Sequence, residues 1–199
     1  MIKFMNLSEE RPYKEFKETH DKAIDKKQSA IEAVSISSYN NELNEVESRF
    51  VNLKYIVKDE WIFFSNYNSA KSKSFILHPQ ISAVFYWKKI NTQVRIKAKI
   101  YKTSEEFSDK HFASRSAEKN ALAISSNQSR PVDSFDDIRA KYLETLDNKN
   151  LLQTRPSYWG GYSFKPYSFE FWTGHDFRLN KRSLYKKNKE NWDYYLLEP

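Results

Sequence analysis

Between Thr92 and Tyr101 the chain alternates without a break: Val94, Ile96, Ala98 and Ile100 are separated by Arg95, Lys97 and Lys99, with Gln93 ahead of them. Successive strand residues face opposite ways, so this run predicts a strand that buries one face and leaves the other polar. Such a strand needs partner strands and a covered face. Segments 31–38 and 81–87 supply further strands, and 48–57 with 61–66 predict a hairpin turned at Lys58-Asp59-Glu60. The polar run 39–47 between them reads as a loop with Asn40-Asn41 at its tip. Beyond Pro156 come four more short strands, 162–164, 168–172, 182–187 and 192–197.

Helices fall between the strands. Residues 12–27 start with Pro12 in the first turn and carry a stripe of Phe16, Ala23 and Ile24. Residues 69–77 form a short helix that stops before Pro79, because the residue ahead of a proline is pushed out of the helical region. Three more helices are expected at 105–114, 117–125 and 134–146, the last capped by Ser134 with Asp136 and Asp137 in its first turn. Residues 127–133 form a loop. The pattern predicts an α+β fold, mainly antiparallel, with peripheral helices around a barrel-like sheet. One domain spans 1–199, with 1–29 as an N-terminal helical extension.

The residue inventory excludes several chemistries. There is no cysteine, which rules out disulfides, thiolate zinc sites, iron–sulfur clusters and a Cys nucleophile. The three glycines, Gly160, Gly161 and Gly174, come too late for a dinucleotide fingerprint, a phosphate loop or a nucleophile elbow. Any bound phosphate must therefore be gripped mainly by side chains. An aromatic share of 16% favours strands and flat surfaces for ring-shaped ligands. The net charge is +7, but the basic residues are scattered and interleaved with acids, so a nucleic-acid partner is not expected. No apolar run reaches the roughly 18 residues of a spanning helix, and Met1 to Asn6 lacks the apolar core of an export signal, so a soluble cytoplasmic protein is expected.

Five stretches carry side chains suited to ligand chemistry. Arg49 and Lys54 flank Phe50-Val51-Asn52-Leu53, on opposite faces if the strand is regular. In Asn66-Tyr67-Asn68-Ser69-Ala70-Lys71 a strand runs into a helix, and a lysine in a first helical turn is unfavourable unless an anion sits nearby. Gln93 offers a donor and an acceptor from mid-strand, suited to the edge of a heterocycle. Ser126-Asn127-Gln128-Ser129-Arg130 is a loop rich in hydrogen-bonding groups. Trp172, followed by Arg178-Leu179-Asn180-Lys181-Arg182, combines an aromatic plane with guanidinium groups, which suit flat anionic ligands.

Taken in order, these stretches resemble the pyridoxine (pyridoxamine) 5′-phosphate oxidase family from about Ala30 to Pro199. Phe112-Ala113-Ser114-Arg115, Trp159-Gly160-Gly161 and Glu170-Phe171-Trp172 belong to the same ordered set. The resemblance implies a homodimer of FMN-binding split β-barrels, with FMN in clefts at the subunit interface and strands 162–199 completing the cofactor site. FMN would then be held by Arg49, Phe50, Val51, Asn52, Leu53 and Lys54, by Phe64, Ser65 and Lys71, and by Gln93, Gln128, Ser129, Trp172 and Arg182. Substrate contacts would fall on Lys54, Arg115, Arg178 and Asn180, with Arg178 over the reacting pyridine and Arg178 and Asn180 as the catalytic residues. The implied reaction is oxidation of pyridoxamine or pyridoxine 5′-phosphate to pyridoxal 5′-phosphate, with molecular oxygen as acceptor. A divergent flavoprotein acting on another anionic heteroaromatic, or an FMN-binding protein without a substrate, are the alternative expectations.

The departures are concentrated on the substrate side. His111 stands where the family pattern has tyrosine and Lys119 where it has serine, both positions that hold the substrate phosphate. Asn180 replaces a histidine and cannot exchange a proton near neutral pH. Ala70 replaces an arginine beside Lys71.

Overall fold

The computed structural model describes all residues, 1–199. In chain order the first half comprises β1 (Lys3–Met5), α1 (Arg11–Asp25), β2 (Ala33–Asn40), β3 (Glu45–Asn52), β4 (Tyr55–Val57), β5 (Glu60–Asn66), α2 (Ala70–Leu77) and β6 (Gln80–Trp87). The second half comprises β7 (Thr92–Lys102), α3 (Glu105–Ala113), α4 (Ala117–Ser125), α5 (Phe135–Asp147), β8 (Trp159–Thr173), β9 (Lys181–Asn188) and β10 (Asn191–Leu197). The sheet runs β1-β4-β5-β8-β7-β6-β2-β3, with β9 added to β8 and β10 to β9. Only β1 and β4 pair in parallel.

The alternating run is the central strand β7, where Val94, Ile96, Ala98 and Ile100 are buried. Its neighbour β8 is one continuous strand instead of the two expected. It pairs with β5 through 159–164 and with β9 through 168–173. Pro166 sits in the interval where β8 has left β5 and not yet met β9, beside a register shift at Lys97 and Ala98 of β7. A proline has no N–H to give a ladder, and a change of partner is where that loss is tolerated. The sheet splits at this point.

The single strand expected at 48–57 is broken. β3 ends at Asn52 and pairs with β2, whereas β4 pairs with β5. Leu53 N donates to Glu32 O (2.9 Å) and Lys54 N to Ile62 O (2.8 Å), so the backbone changes partner within two residues. Most of the polar run 39–47 is not a loop. β2 and β3 extend to Asn40 and from Glu45, pairing Tyr39 with Val46. Backbone pairing carries this hairpin, and its polar surface left no apolar period to read.

Residues 1–29 are more than an extension. β1 pairs with β4, and α1 buries Tyr13, Phe16, His20 and Ala23, a 3-4-3 spacing that puts them on one face. Phe16 lies 4.4 Å from the Trp61 ring, and Ile2, Tyr13, Phe16 and Ala23 belong to the main core cluster. No helix is long and apolar enough to cross a membrane.

A glycine pair sets the position of α3. A Cβ at Gly160 would overlap the Tyr67 hydroxyl, and one at Gly161 would fall 2.7 Å from Thr103 Cγ2. With hydrogens there instead, Ser108 of α3 accepts from Gly161 N (3.1 Å) and Tyr67 donates to Gly161 O (3.2 Å). This close docking carries the end of α3 over β5.

Candidate active site

The end of α3, the start of α4, the β3–β4 break and α2 surround a cleft of about 650 Å³. Its lining includes five cationic side chains, Lys3, Lys54, Lys71, Arg115 and Lys119, together with His111, and no carboxylate. Phe50, Val51, Asn52, Phe64, Ser65 and Gln128 also line it. Eleven of the residues expected from sequence thus meet at one place, although they come from five separate stretches of chain.

Lys71 lines the cleft and is only 8% exposed. Its Nζ donates to Ser65 Oγ (3.2 Å) and Ser69 Oγ (3.0 Å) and has no acidic partner. Ser69 stands at the N-cap position of α2, but its hydroxyl turns back to donate to Asn66 O (2.8 Å) instead of capping the helix. Burial, then the nearby Arg49 guanidinium, push the Lys71 ammonium down to about 8. A nearly buried ammonium held only by hydroxyls is a seat for an anion. Gln128 Oε1 accepts from Ser65 Oγ and Asn66 N, each at 3.4 Å, and ties its loop to the same corner.

Arg115 lines the same cleft in a second cluster, with Trp159 and Lys119. Its guanidinium lies 4.2 Å from the Trp159 ring centroid, Nη2 donates to Lys119 O (2.6 Å), and Nη1 is buried without a partner. Burial lowers it to about 10. His111 stacks on Phe64 with centroids 3.6 Å apart, and its Nδ1 is 2.9 Å from the Tyr55 hydroxyl. Burial, then Arg115, Lys54, Lys3 and Lys119, push His111 down to about 4, so the ring is neutral at neutral pH.

The remaining expected residues lie elsewhere. Gln93, Trp172 and Arg182 form a row across β7, β8 and β9, in direct register. Beside that row Glu170 accepts from Arg95 (3.2 Å) and Arg182 (2.9 Å), and Arg95 Nε donates to Gln93 (3.2 Å). None of the three lines the cleft. Arg178 is exposed in a left-handed conformation (φ 64°), and Asn180 Oδ1 accepts from His175 N (3.3 Å) across the same loop. Ser129 lines a neighbouring groove with Arg130 and Lys73. Arg49 turns to Ser38 and Glu47, each at 2.7 Å, and Leu53 is wholly buried in the core. Tyr55 and Trp159 belong to the cleft but were not singled out as site residues. Trp159 carried a signal in its place ahead of Gly160-Gly161, whereas Tyr55 meets a residue 56 positions away and had none.

Residues 159–199 match the pyridoxine 5′-phosphate oxidase C-terminal dimerisation region. Across nearly the whole chain, the pyridoxine/pyridoxamine 5′-phosphate oxidase 1 of Hydrogenovibrio crunogenus is 34% identical, over 94% of this chain and 88% of that protein. The chain belongs to the pyridoxine/pyridoxamine 5′-phosphate oxidase family. The oxidase of Haemophilus influenzae is 33% identical over 96% of this chain and 90% of its own length. Among solved structures, PhzG from Burkholderia lata, determined with tetrahydrophenazine-1-carboxylic acid, has a TM-score of 0.88 at 23% identity, covering 95% of this chain and 93% of that one. An FMN-binding protein related to pyridoxamine 5′-phosphate oxidase from Nostoc punctiforme has a TM-score of 0.74 at 10% identity, over 92% and 97%. These two likenesses establish the fold, a split barrel of the FMN-binding type.

Proposed function

We propose that this oxidase-family protein is an FMN-dependent pyridoxamine or pyridoxine 5′-phosphate oxidase that works as a homodimer. The observation that carries the reading is a cleft with two anion seats and no carboxylate: Lys71 among the Ser65 and Ser69 hydroxyls, and Arg115 with Lys119 against Trp159. Two seats suit a cofactor phosphate and a substrate phosphate held in one cleft. Lys71, Ser65 and Gln128 fit the FMN phosphate end, because the buried ammonium lacks the counter-charge that a phosphate brings. Bound there, FMN would supply the two-electron acceptor for a hydride from the 4′ carbon of the substrate, with oxygen as the final acceptor and hydrogen peroxide as its product.

The protein's own contribution is position and charge. Lys54, Arg115, Lys119 and His111 hold the substrate phosphate, and the Phe64, His111 and Trp159 rings wall off water. Gln93, Trp172 and Arg182 lie on the outward face of the sheet, in or near the segment that matches the dimerisation region. They reach a cleft only when a second copy supplies them, which is why the dimer belongs to the reading. Arg178 sits over the reacting pyridine, and Asn180 holds its loop through His175 N.

A second reading keeps the fold and the flavin but changes the substrate to another anionic heteroaromatic. It is favoured by Asn180, whose amide is neither an acid nor a base near neutral pH and whose oxygen is already engaged within its loop. Purified protein should be yellow with oxidised-flavin absorbance. It should form peroxide when given pyridoxine or pyridoxamine 5′-phosphate. A colourless protein that ignores added FMN refutes both readings, whereas a fully loaded protein with no turnover on these substrates refutes the first.

A further inference from the structure

His111 is held on three sides. Phe64 lies against one ring face with planes 14° apart, and Trp159 lies nearly parallel to both rings. The Tyr55 ring meets His111 edge-on at 87°, and its hydroxyl reaches Nδ1 at 2.9 Å. Nε2 makes no hydrogen bond within the chain and is not among the sealed polar atoms, so it is open to the cleft. The charged groups around the ring are Arg115 and Lys119 from the α3–α4 segment, Lys54 from the β3–β4 break and Lys3 from β1. Four cations with no carboxylate among the lining residues oppose a further positive charge.

A neutral imidazole carries one N–H, and the partner of one nitrogen decides which nitrogen bears it. A phenol is a better donor to an imidazole nitrogen than an acceptor from one, because the phenol is the stronger acid and the ring the stronger base. The Tyr55 O–H therefore donates to Nδ1, and the proton of the ring is on Nε2. We propose that Tyr55 is a positioning residue that fixes His111 as the Nε2–H tautomer, so that the ring offers an anionic group an uncharged donor beside Arg115 and Lys119. The inference rests on the reading of this cleft as the seat of a substrate phosphate. It adds how a histidine serves there without taking up a proton. Lysine and arginine supply the charge; His111 supplies direction.

The test uses ¹⁵N-labelled, FMN-loaded protein and long-range proton–nitrogen NMR of the histidine rings, with H111Q identifying the signal. At pH 7 and without substrate, His111 should show a neutral ring protonated at Nε2, and Y55F should convert it to a mixture of tautomers. An Nδ1–H ring, an imidazolium, or a tautomer unchanged in Y55F overturns the proposal. Binding of pyridoxal 5′-phosphate is the second readout. H111F should weaken it about tenfold or more, the loss of one hydrogen bond to an anion, whereas Y55F, which leaves the donor tautomer as part of a mixture, should weaken it about twofold. H111Q, whose amide nitrogen occupies the place of Nε2, should stay within about twofold of the unmodified protein. Equal losses in H111Q and H111F would reduce His111 to a packing residue and overturn the donor role. If the unmodified protein does not bind pyridoxal 5′-phosphate, the substrate reading falls, while the tautomer measured without ligand still decides what Tyr55 does.

Discussion

Replacing Lys71 by methionine should move stability and cofactor affinity in opposite directions. The ammonium is 8% exposed and bonded only to the Ser65 and Ser69 hydroxyls. Its depression from 10.5 to about 8 means that keeping it charged in the folded protein costs on the order of 3 kcal/mol. The unfolded chain holds this proton more tightly than the folded one. The FMN-free protein is therefore penalised in full below about pH 8, and its stability rises as pH climbs from there toward 10.5. Methionine has nearly the same reach and no charge, so K71M removes the penalty at pH 7. Losing the two bonds to the Ser65 and Ser69 hydroxyls, which keep Gln128 and Asn66 as partners, offsets part of the gain and leaves a net stabilisation of about 1–2 kcal/mol. Against FMN the sign reverses. A charge-assisted hydrogen bond to phosphate contributes roughly 1.5–3 kcal/mol, so the dissociation constant should rise about ten- to a hundredfold. Denaturant unfolding of FMN-free protein at pH 7 and pH 9, and quenching of flavin fluorescence on binding, measure the two effects. K71M that is less stable than the parent at pH 7 and binds FMN equally well would refute the assignment of Lys71 as the cofactor's anion seat.

Three further outcomes follow from the same geometry. Arg178→Ala should lower turnover while FMN stays bound, because the arginine lies on an exposed loop and does not line the cleft that Lys71 lines; loss of flavin with turnover per flavin unchanged would reverse the assignment. Co-expressing K71M and R182A subunits should restore activity to about a quarter of the sites, since half the dimers are mixed and each mixed dimer has one intact cleft; no recovery in isolated mixed dimers would mean that Arg182 serves its own subunit's cleft. His20 is buried against Phe4, Phe16 and Trp87, and burial holds it below its ordinary value. The unfolded chain therefore takes the proton first, and stability should fall as pH drops below 6.5, a loss that His20→Phe should reduce in urea titrations at pH 5 and pH 7.

The sequence by itself determined the elements whose signal is local. The period of two from Thr92 to Tyr101 became the central strand, and Ser134 caps α5 by accepting from Asp137 N (3.1 Å). The stripe on α1 was readable in part, because Phe16 and Ala23 stood out while Tyr13 and His20, polar in composition, did not. The ordered stretches that resemble the oxidase family also named most of the cleft before any fold was known. Their identities are covalent facts of the chain, and their spacing survives folding.

Only the tertiary structure decided which of those side chains meet. The backbone changes partner at Leu53-Lys54, and so buries Leu53 while Lys54 opens to the cleft; no residue pattern marks that switch, because it depends on Glu32 far back in the chain as much as on Ile62 across the β4–β5 turn. The Tyr55–His111 contact spans 56 positions and depends on two glycines near 160 that let α3 approach β8. The fold also separates Gln93, Trp172 and Arg182 from the cleft of their own chain and aligns them on a different face. Period and propensity act over a few residues, whereas burial, the electrostatic setting of Lys71 and the company of His111 are set by strands that pair across the whole chain.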